Sequence, residues 1–228
     1  MRTAILIPAR YASTRFPAKP LAILDNQTMI QRVAEKCIAT GLDTYVLTDN
    51  RTIGMAAKAL GIKVYIDTQE YENGTERCAG AIRSDLFNSY DKFINVQGDM
   101  PDVTPELIEK AIMGLNHYPI STVFTTMPEE KQNDPSSVKM VRAGDQALWF
   151  GRGMTGYGEW HLGVYGYRRN ALQMYLTLPV EQEERVEKLE QLRWLKNGWQ
   201  MACYSVQFNG VEINTPEDVK EWHAKQRT

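Results

Sequence analysis

IPARYASTRFPAKP, residues 7–20, closes an apolar strand and opens a basic loop. Arg10, Arg15 and Lys19 fall within ten residues, and Pro8, Pro17 and Pro20 stiffen the path between them. Guanidinium groups hold phosphate oxygens through paired N–H donors, and a lysine can follow charge onto a leaving pyrophosphate. A rigid basic loop directly after a buried strand therefore predicts a triphosphate site at the carboxyl end of a sheet. An exposed basic loop without a ligand is the plainer alternative. The loop is not of the GxxxxGK[ST] kind, which argues against P-loop ATPase chemistry.

Outward from the loop, the chain alternates. MIQRVAEKCIATG has Met29, Ile30, Val33, Ala34, Cys37 and Ile38 at helical spacing, with Gly41 as a stop. A strand is expected through Tyr45–Leu47, a helix in IGMAAKALG and a third strand in IKVYID. This alternation predicts an α/β sheet with parallel neighbours, a three-layer Rossmann-like fold. A helix from about Thr75 to Asp85 follows, capped by Asn73 or Thr75, then a strand at Phe93–Val96 and a turn at Gln97-Gly98-Asp99. The next helix is entered through Thr104-Pro105. Asp99 would share a rim with the basic loop, where a hard carboxylate beside phosphates suits Mg²⁺. A turn aspartate capping the next helix is the other reading.

From STVFTTM onward the pattern becomes β-rich: SVKMVR, QALWF and HLGVYGYR follow with no helix between them, separated by the Gly-rich GRGMTGYGEW. A small antiparallel subregion at the edge of a mixed sheet is expected, with PEEKQNDPSS as an exposed connection. VEQEERVEKLEQLRWLKNG reads as one helical run ending at Gly198, with Val186, Leu189 and Leu192 on its buried side. A strand near Gln200–Val206 and a helix opening at Thr215-Pro216 complete the chain. Asn214 and Asp218 in NTPED fit either metal binding or ordinary helix capping. His161 begins HLGVYGYR, where a lone histidine is most often structural, and His117 and His223 carry no role.

With 228 residues, no internal repeat and no shift in composition, a single domain over 1–228 is expected. The net charge of -2 offers no general attraction to nucleic acid or to an anionic membrane. Cys37, Cys78 and Cys203 lack disulfide or zinc spacing and read as buried thiols. No apolar run approaches a membrane span, so a cytoplasmic protein is expected. Protease, EF-hand and zinc-hydrolase patterns are absent.

IPARYASTRFPAKP, TDN, NGTER, NVQGDMP, HLGVYGYR, LEQLR and NTPED, in this order, resemble the 3-deoxy-manno-octulosonate cytidylyltransferases, or CMP-Kdo synthetases, along nearly the whole chain. The resemblance implies a nucleotidyltransferase fold and attack by the anomeric hydroxyl of a 2-ulosonic sugar acid on the α-phosphorus of CTP, with Mg²⁺. Arg10, Arg15 and Lys19 would hold the triphosphate, with Lys19 close to the reacting centre, and with Asp99 they would form the catalytic set; Pro8, Ala9, Ser13 and Gly98 would be substrate-binding. Asn73, Gly74 and Arg77 would line the nucleoside pocket; Gln97, His161, Tyr165, Glu190 and Gln191 would face the sugar, and Arg152 its carboxylate. Asp99 and Asn214 would hold Mg²⁺, and a homodimer is implied.

Three departures stand out: Met100 replaces a glutamate of the family pattern, Asn214 replaces its second metal-binding aspartate, and the segment between Arg152 and His161 is short. A neutral amide oxygen binds Mg²⁺ less strongly than a carboxylate, so weaker metal affinity is expected. The rivals are a cytidylyltransferase for an 8-amino or sialic-type acid, and a catalytically weak nucleotide-binding regulatory protein.

Overall fold

The computed structural model describes residues 1–13 and 15–227; Thr14, inside the basic stretch, and Thr228 lie outside the described residues. The chain opens with β1 (Thr3–Ala9), whose apolar residues alternate between two cores. Ile5 and Ile7 face one and Ala4 and Leu6 the other, all four fully buried. A strand apolar on both faces belongs in the middle of a sheet covered on both sides. The basic loop and a small hairpin of β2 (Ile23–Leu24) and β3 (Gln27–Thr28) lead to α1 (Met29–Ile38), started by a Thr28–Gln31 capping box. Next come β4 (Asp43–Thr48), α2 (Arg51–Lys58, capped by Asn50) and β5 (Lys63–Ile66).

The helix α3 (Gly74–Ala81) is capped by Asn73 and stops four residues before the expected Asp85. The segment beyond it becomes a Ser84-capped 3-10 turn, Asp85–Phe87, that sends the Phe87 ring into the core. After β6 (Lys92–Val96), α4 (Pro105–Gly114) and β7 (Ile120–Thr125), the antiparallel strands β8 (Lys139–Ala143), β9 (Gln146–Gly151) and β10 (Glu159–Arg168) follow. The chain ends with α5 (Arg169–Met174), α6 (Gln182–Glu187), α7 (Leu192–Lys196), β11 (Met201–Ser205) and α8 (Pro216–Lys225).

The strands form a nine-stranded mixed sheet in the order β5-β4-β1-β6-β10-β7-β11-β9-β8. The β5-β4-β1-β6 half is parallel, and β10 runs antiparallel to both β6 and β7. This corrects the expected edge position of the antiparallel subregion: β10 is central, because HLGVYGYR is buried along both faces. The start of β10 also pairs with β8, so the pairings β10-β7-β11-β9-β8 run in a closed circuit. Helices α1, α2, α4 and α8 cover one face and α3, α5 and α7 the other, which gives the three layers.

VEQEERVEKLEQLRWLKNG is not one helix. It breaks between α6 and α7 at Lys188, whose φ of 54° is left-handed. Leu189 and Leu192 are buried as expected, whereas Val186 is 70% exposed. The break lets Leu189 enter the core while the next residues, Glu190 and Gln191, turn toward β10 and α3. All three cysteines are free and buried, and no helix among the described residues is long and apolar enough to cross a membrane.

Candidate active site

Strands β1, β4, β6 and β7 end on one rim of the sheet, where α/β folds bind ligands. The basic loop leaves β1 here. The Tyr11 N–H donates to Asp49 Oδ1 at 3.1 Å and the Ala18 N–H to the Tyr11 carbonyl at 3.1 Å, which ties down both ends of the loop. Ala18, with a left-handed φ of 53°, turns the chain into Lys19. The Lys19 ammonium donates to Asp99 Oδ2 at 2.7 Å and to the Ile213 carbonyl at 3.0 Å. Arg15, exposed, donates to Asn214 Oδ1 at 3.2 Å. Two of the predicted loop cations thus meet both predicted metal positions, and Arg10 stays exposed beside them. Asp218 is committed elsewhere: one of its oxygens accepts the N–H groups of Asn214 and Thr215 as part of the α8 capping box.

Next to the loop, Pro8, Gly74, Gln97 and Gly98 crowd together. A Cβ on Gly74 would lie 2.8 Å from Gln97 Nε2 and 3.1 Å from Pro8 Cγ, and one on Gly98 would lie 3.0 Å from the Pro8 carbonyl oxygen. A larger residue at Gly74 would displace the Gln97 amide, and one at Gly98 would press on the β1 backbone. Asn73 spends its side-chain oxygen on the Glu76 N–H. Arg77 is buried in the wall, donating to Asp49 Oδ2 at 3.2 Å and to the Asp67 carbonyl at 3.3 Å. Asp49, which the sequence reading left without a role, therefore links Arg77 to the basic loop. Ala9 is buried under the loop and Ser13 half-buried within it.

The remaining predicted residues gather around β10. Glu190 accepts the Thr75 N–H and the Gln97 amide, both at 2.9 Å. Burial pushes its carboxyl up to about 7, against the pull of the Thr75 hydrogen bonds. Tyr165 donates to Gln191 Oε1 at 3.1 Å, while Gln191 Nε2 is buried with no partner among the described residues. Thr122 gives its proton to the Val164 carbonyl, so at 2.9 Å it accepts from His161 Nε2, which assigns the Nε2–H tautomer. Burial first, and Arg152 second, push His161 down to about 3, so its imidazole is neutral.

Arg152 donates to the Ser136, Pro135 and Glu187 carbonyls. Burial, and next the Arg15 charge, lower its pKa; two guanidinium groups close enough to repel each other favour an anion between them.

Two departures acquire a physical reading. Met100 is fully buried in the core beneath the turn, with Sδ 3.3 Å from where a Gly163 Cβ would stand, so it packs rather than faces the rim. Glu212 is the residue the sequence reading missed. Half-buried, it lies against the Gly163 N–H and near Asp99, Lys131 and Lys19; burial first, then the Asp99 charge, push it up to about 7. The usable signal was the alternation in Val211-Glu212-Ile213-Asn214, which puts Glu212 and Asn214 on one side.

A family model described as Cytidylyltransferase matches residues 4–207. The 8-amino-3,8-dideoxy-manno-octulosonate cytidylyltransferase of Shewanella sp. (strain ANA-3) is 38% identical over 97% of this chain and 97% of its own length. Among solved structures, a CMP:2-keto-3-deoxy-manno-octonic acid synthetase complexed with CTP aligns with a TM-score of 0.91 and 31% identity, covering 100% of this chain and 99% of that one. The inositol-1-phosphate CTP transferase from T. maritima, at TM-score 0.70 and 16% identity over 99% of this chain and 96% of its own, shares the fold. With the family model spanning most of the chain and the relatives covering almost all of it, this nucleotidyltransferase belongs to the cytidylyltransferase family.

Proposed function

We propose that the chain, as one transferase domain, moves a cytidylyl group from CTP to the anomeric hydroxyl of an eight-carbon 2-ulosonic acid and releases pyrophosphate. The hydroxyl oxygen bonds to the α-phosphorus as the bond to the leaving pyrophosphate breaks, and the hydroxyl proton goes to solvent. The observation that carries this reading is the bridging of the two halves of the rim by the loop cations, Lys19 to Asp99 and Arg15 to Asn214. Such a displacement asks the protein mainly to position its reactants and to neutralise charge.

Mg²⁺ fits the oxygen set. Lys19 shows that a cation is accommodated between the Asp99 carboxylate and the Ile213 carbonyl, and hard oxygens suit this ion. Asp99 would hold it, with Asn214 adjacent, and the ion would neutralise triphosphate charge when bound. Among the described residues no group of three His, Cys, Asp or Glu stands where it could hold a metal, so the proposal takes the ion's remaining ligands from phosphate and water oxygens. Lys19 and Arg15 hold and neutralise the phosphates, with Arg10 free to join them. Arg152 takes the sugar carboxylate, and Gln191 Nε2, His161, Tyr165, Gln97 and Glu190 meet the hydroxyls. We further assign the active form as a cytoplasmic homodimer, checked by its mass in solution.

The acceptor is 3-deoxy-manno-octulosonate or its 8-amino analogue. The 38%-identical relative named for the amino acid favours the second, and the CTP-bound structural neighbour named for the hydroxyl acid keeps the first. Pyrophosphate release with CTP and Mg²⁺, compared across these acids and a sialic-type acid, tests the reading. A strong preference for one octulosonic acid is the expected result. CTP binding with no CMP-sugar formed from any acceptor would replace transfer by a regulatory nucleotide-binding role.

A further inference from the structure

Asn214 makes the metal side of the rim look short of charge, and the surroundings of Asn214 show that it is also occupied. Its side-chain oxygen accepts from Arg15 at 3.2 Å, and its N–H donates to Asp218 at 2.7 Å. The neighbouring backbone locks the segment beside the Gln97-Gly98-Asp99 turn. The Ile213 N–H donates to the Asp99 carbonyl at 2.9 Å and the Val211 N–H to Asp102 Oδ2 at 3.0 Å. Val211 and Ile213 are buried in the core, so Glu212 and Asn214 share the opposite side, toward Arg15 and Lys19.

Glu212 therefore stands two residues from the neutral position and close to the Asp99 charge. Among the described residues it forms no ion pair, whereas Asp99 is paired with Lys19. Lys131 and Lys19 stand near Glu212 as well, but Lys19 is paired with Asp99 and neither is in an ion pair with Glu212, so its carboxylate oxygens remain for a divalent cation on the rim to take. The bulge in β10 between Leu162 and Tyr165 helps to set this arrangement. At Gly163 the bulged backbone offers its carbonyl to the Gln97 N–H and its own N–H to Glu212.

We propose that Glu212 supplies the second carboxylate facing the metal-bearing triphosphate, in place of the charge that Asn214 lacks. The assignment rests on the cytidylyl-transfer reading. It turns the expected loss of metal affinity into a relocation of the acid by two residues.

The experiment is a titration of Mn²⁺, a paramagnetic substitute for Mg²⁺, into the full chain with saturating CTP and no acceptor, with bound metal read by electron paramagnetic resonance. Glu212→Gln should weaken Mn²⁺ binding by about tenfold or more, and adding Asn214→Asp to it should restore affinity to within about threefold of the parent. Asn214→Asp alone should gain less than about threefold, because the charge is already present. Unchanged Mn²⁺ affinity in Glu212→Gln, or no recovery in a double variant that melts like the parent, would overturn the assignment. So would a tenfold gain from Asn214→Asp alone, which needs no damaged variant to fold. If the parent chain bound no CTP, the cytidylyl-transfer reading would fall first and the role of Glu212 with it.

Discussion

The parallel and antiparallel halves of the sheet build the cleft in different ways. From β1 and β6 the site residues come on loops after the strands; they are charged, partly exposed and paired with one another, as Lys19 is with Asp99. From β10 and the α6–α7 corner they come from inside the fold, buried and held by hydrogen bonds, as His161 is by Thr122 and Tyr165 by Gln191. The first half suits a polyanion, whose charge the loop cations can meet. The second suits a polyhydroxyl acid, whose recognition depends on fixed donors and acceptors. Glu212 and Gly163 lie where the two halves meet.

If the loop half acts through charge, Lys19→Ala is the strongest way to break it. With no ammonium to follow charge onto the leaving pyrophosphate, kcat should fall by roughly 10²–10³-fold, while KM for CTP changes by less than about tenfold. Steady-state kinetics decide the matter: equal losses in kcat and CTP affinity would assign Lys19 to ground-state binding instead.

Beyond the β6–β10 pairing, Arg193 ties α7 and α6 to α3. It donates to both oxygens of Glu184, to within 2.6 Å, and to Glu76 at 2.8 Å, and its guanidinium lies 4.3 Å from the centre of the Tyr175 ring. The arginine is 4% exposed and its two acids 13% or less, so removing it strands two carboxylates out of water. Arg193→Ala should cost about 3–5 kcal/mol, a fall of roughly 6–20 °C in melting temperature for a chain of this size. A smaller fall would mean that α7 is held to α3 by apolar packing alone.

How far the sequence shows this design follows the same division. The basic loop, Asp99 and the helix starts at Asn73, Thr104 and Thr215 are legible because their signals are local: a residue type at a fixed offset from a strand or helix. The central position of β10 was not, since a strand buried on both faces reads the same wherever it lies in a sheet. The break at Lys188 was hidden because helical spacing continues across it and no glycine marks the left-handed turn. Glu212 escaped for a third reason. Its meaning comes from Asp99, reached only through the Ile213-to-Asp99 backbone bond between distant segments. In NTPED the eye goes to the neutral residue, while the acid stands just upstream.

The weakest expected effect tests the buried half. Glu190 sits under Thr75 and Gln97 with its carboxyl raised from 4.5 to about 7 by burial. The folded chain therefore holds this proton more tightly than the unfolded chain does. Its stabilising contribution is complete below about pH 4.5 and is lost as pH rises through 7. The loss is roughly 1–2 kcal/mol once solvent at its open side is allowed for, or roughly 2–8 °C between pH 5 and 8. Glu190→Gln keeps a neutral group beside Thr75 and Gln97 at every pH, so its melting temperature should vary less over that range, and the gap between variant and parent should widen toward pH 8. The hydrogen bonds from Thr75, and after them the Arg193 charge, favour the ionised form and keep the value near 7 rather than higher. A variant whose profile runs parallel to the parent's would show that Glu190 is already ionised at pH 5, and the contrast between an electrostatic loop half and a neutral, hydrogen-bonded β10 half would narrow to His161, Tyr165 and Gln191.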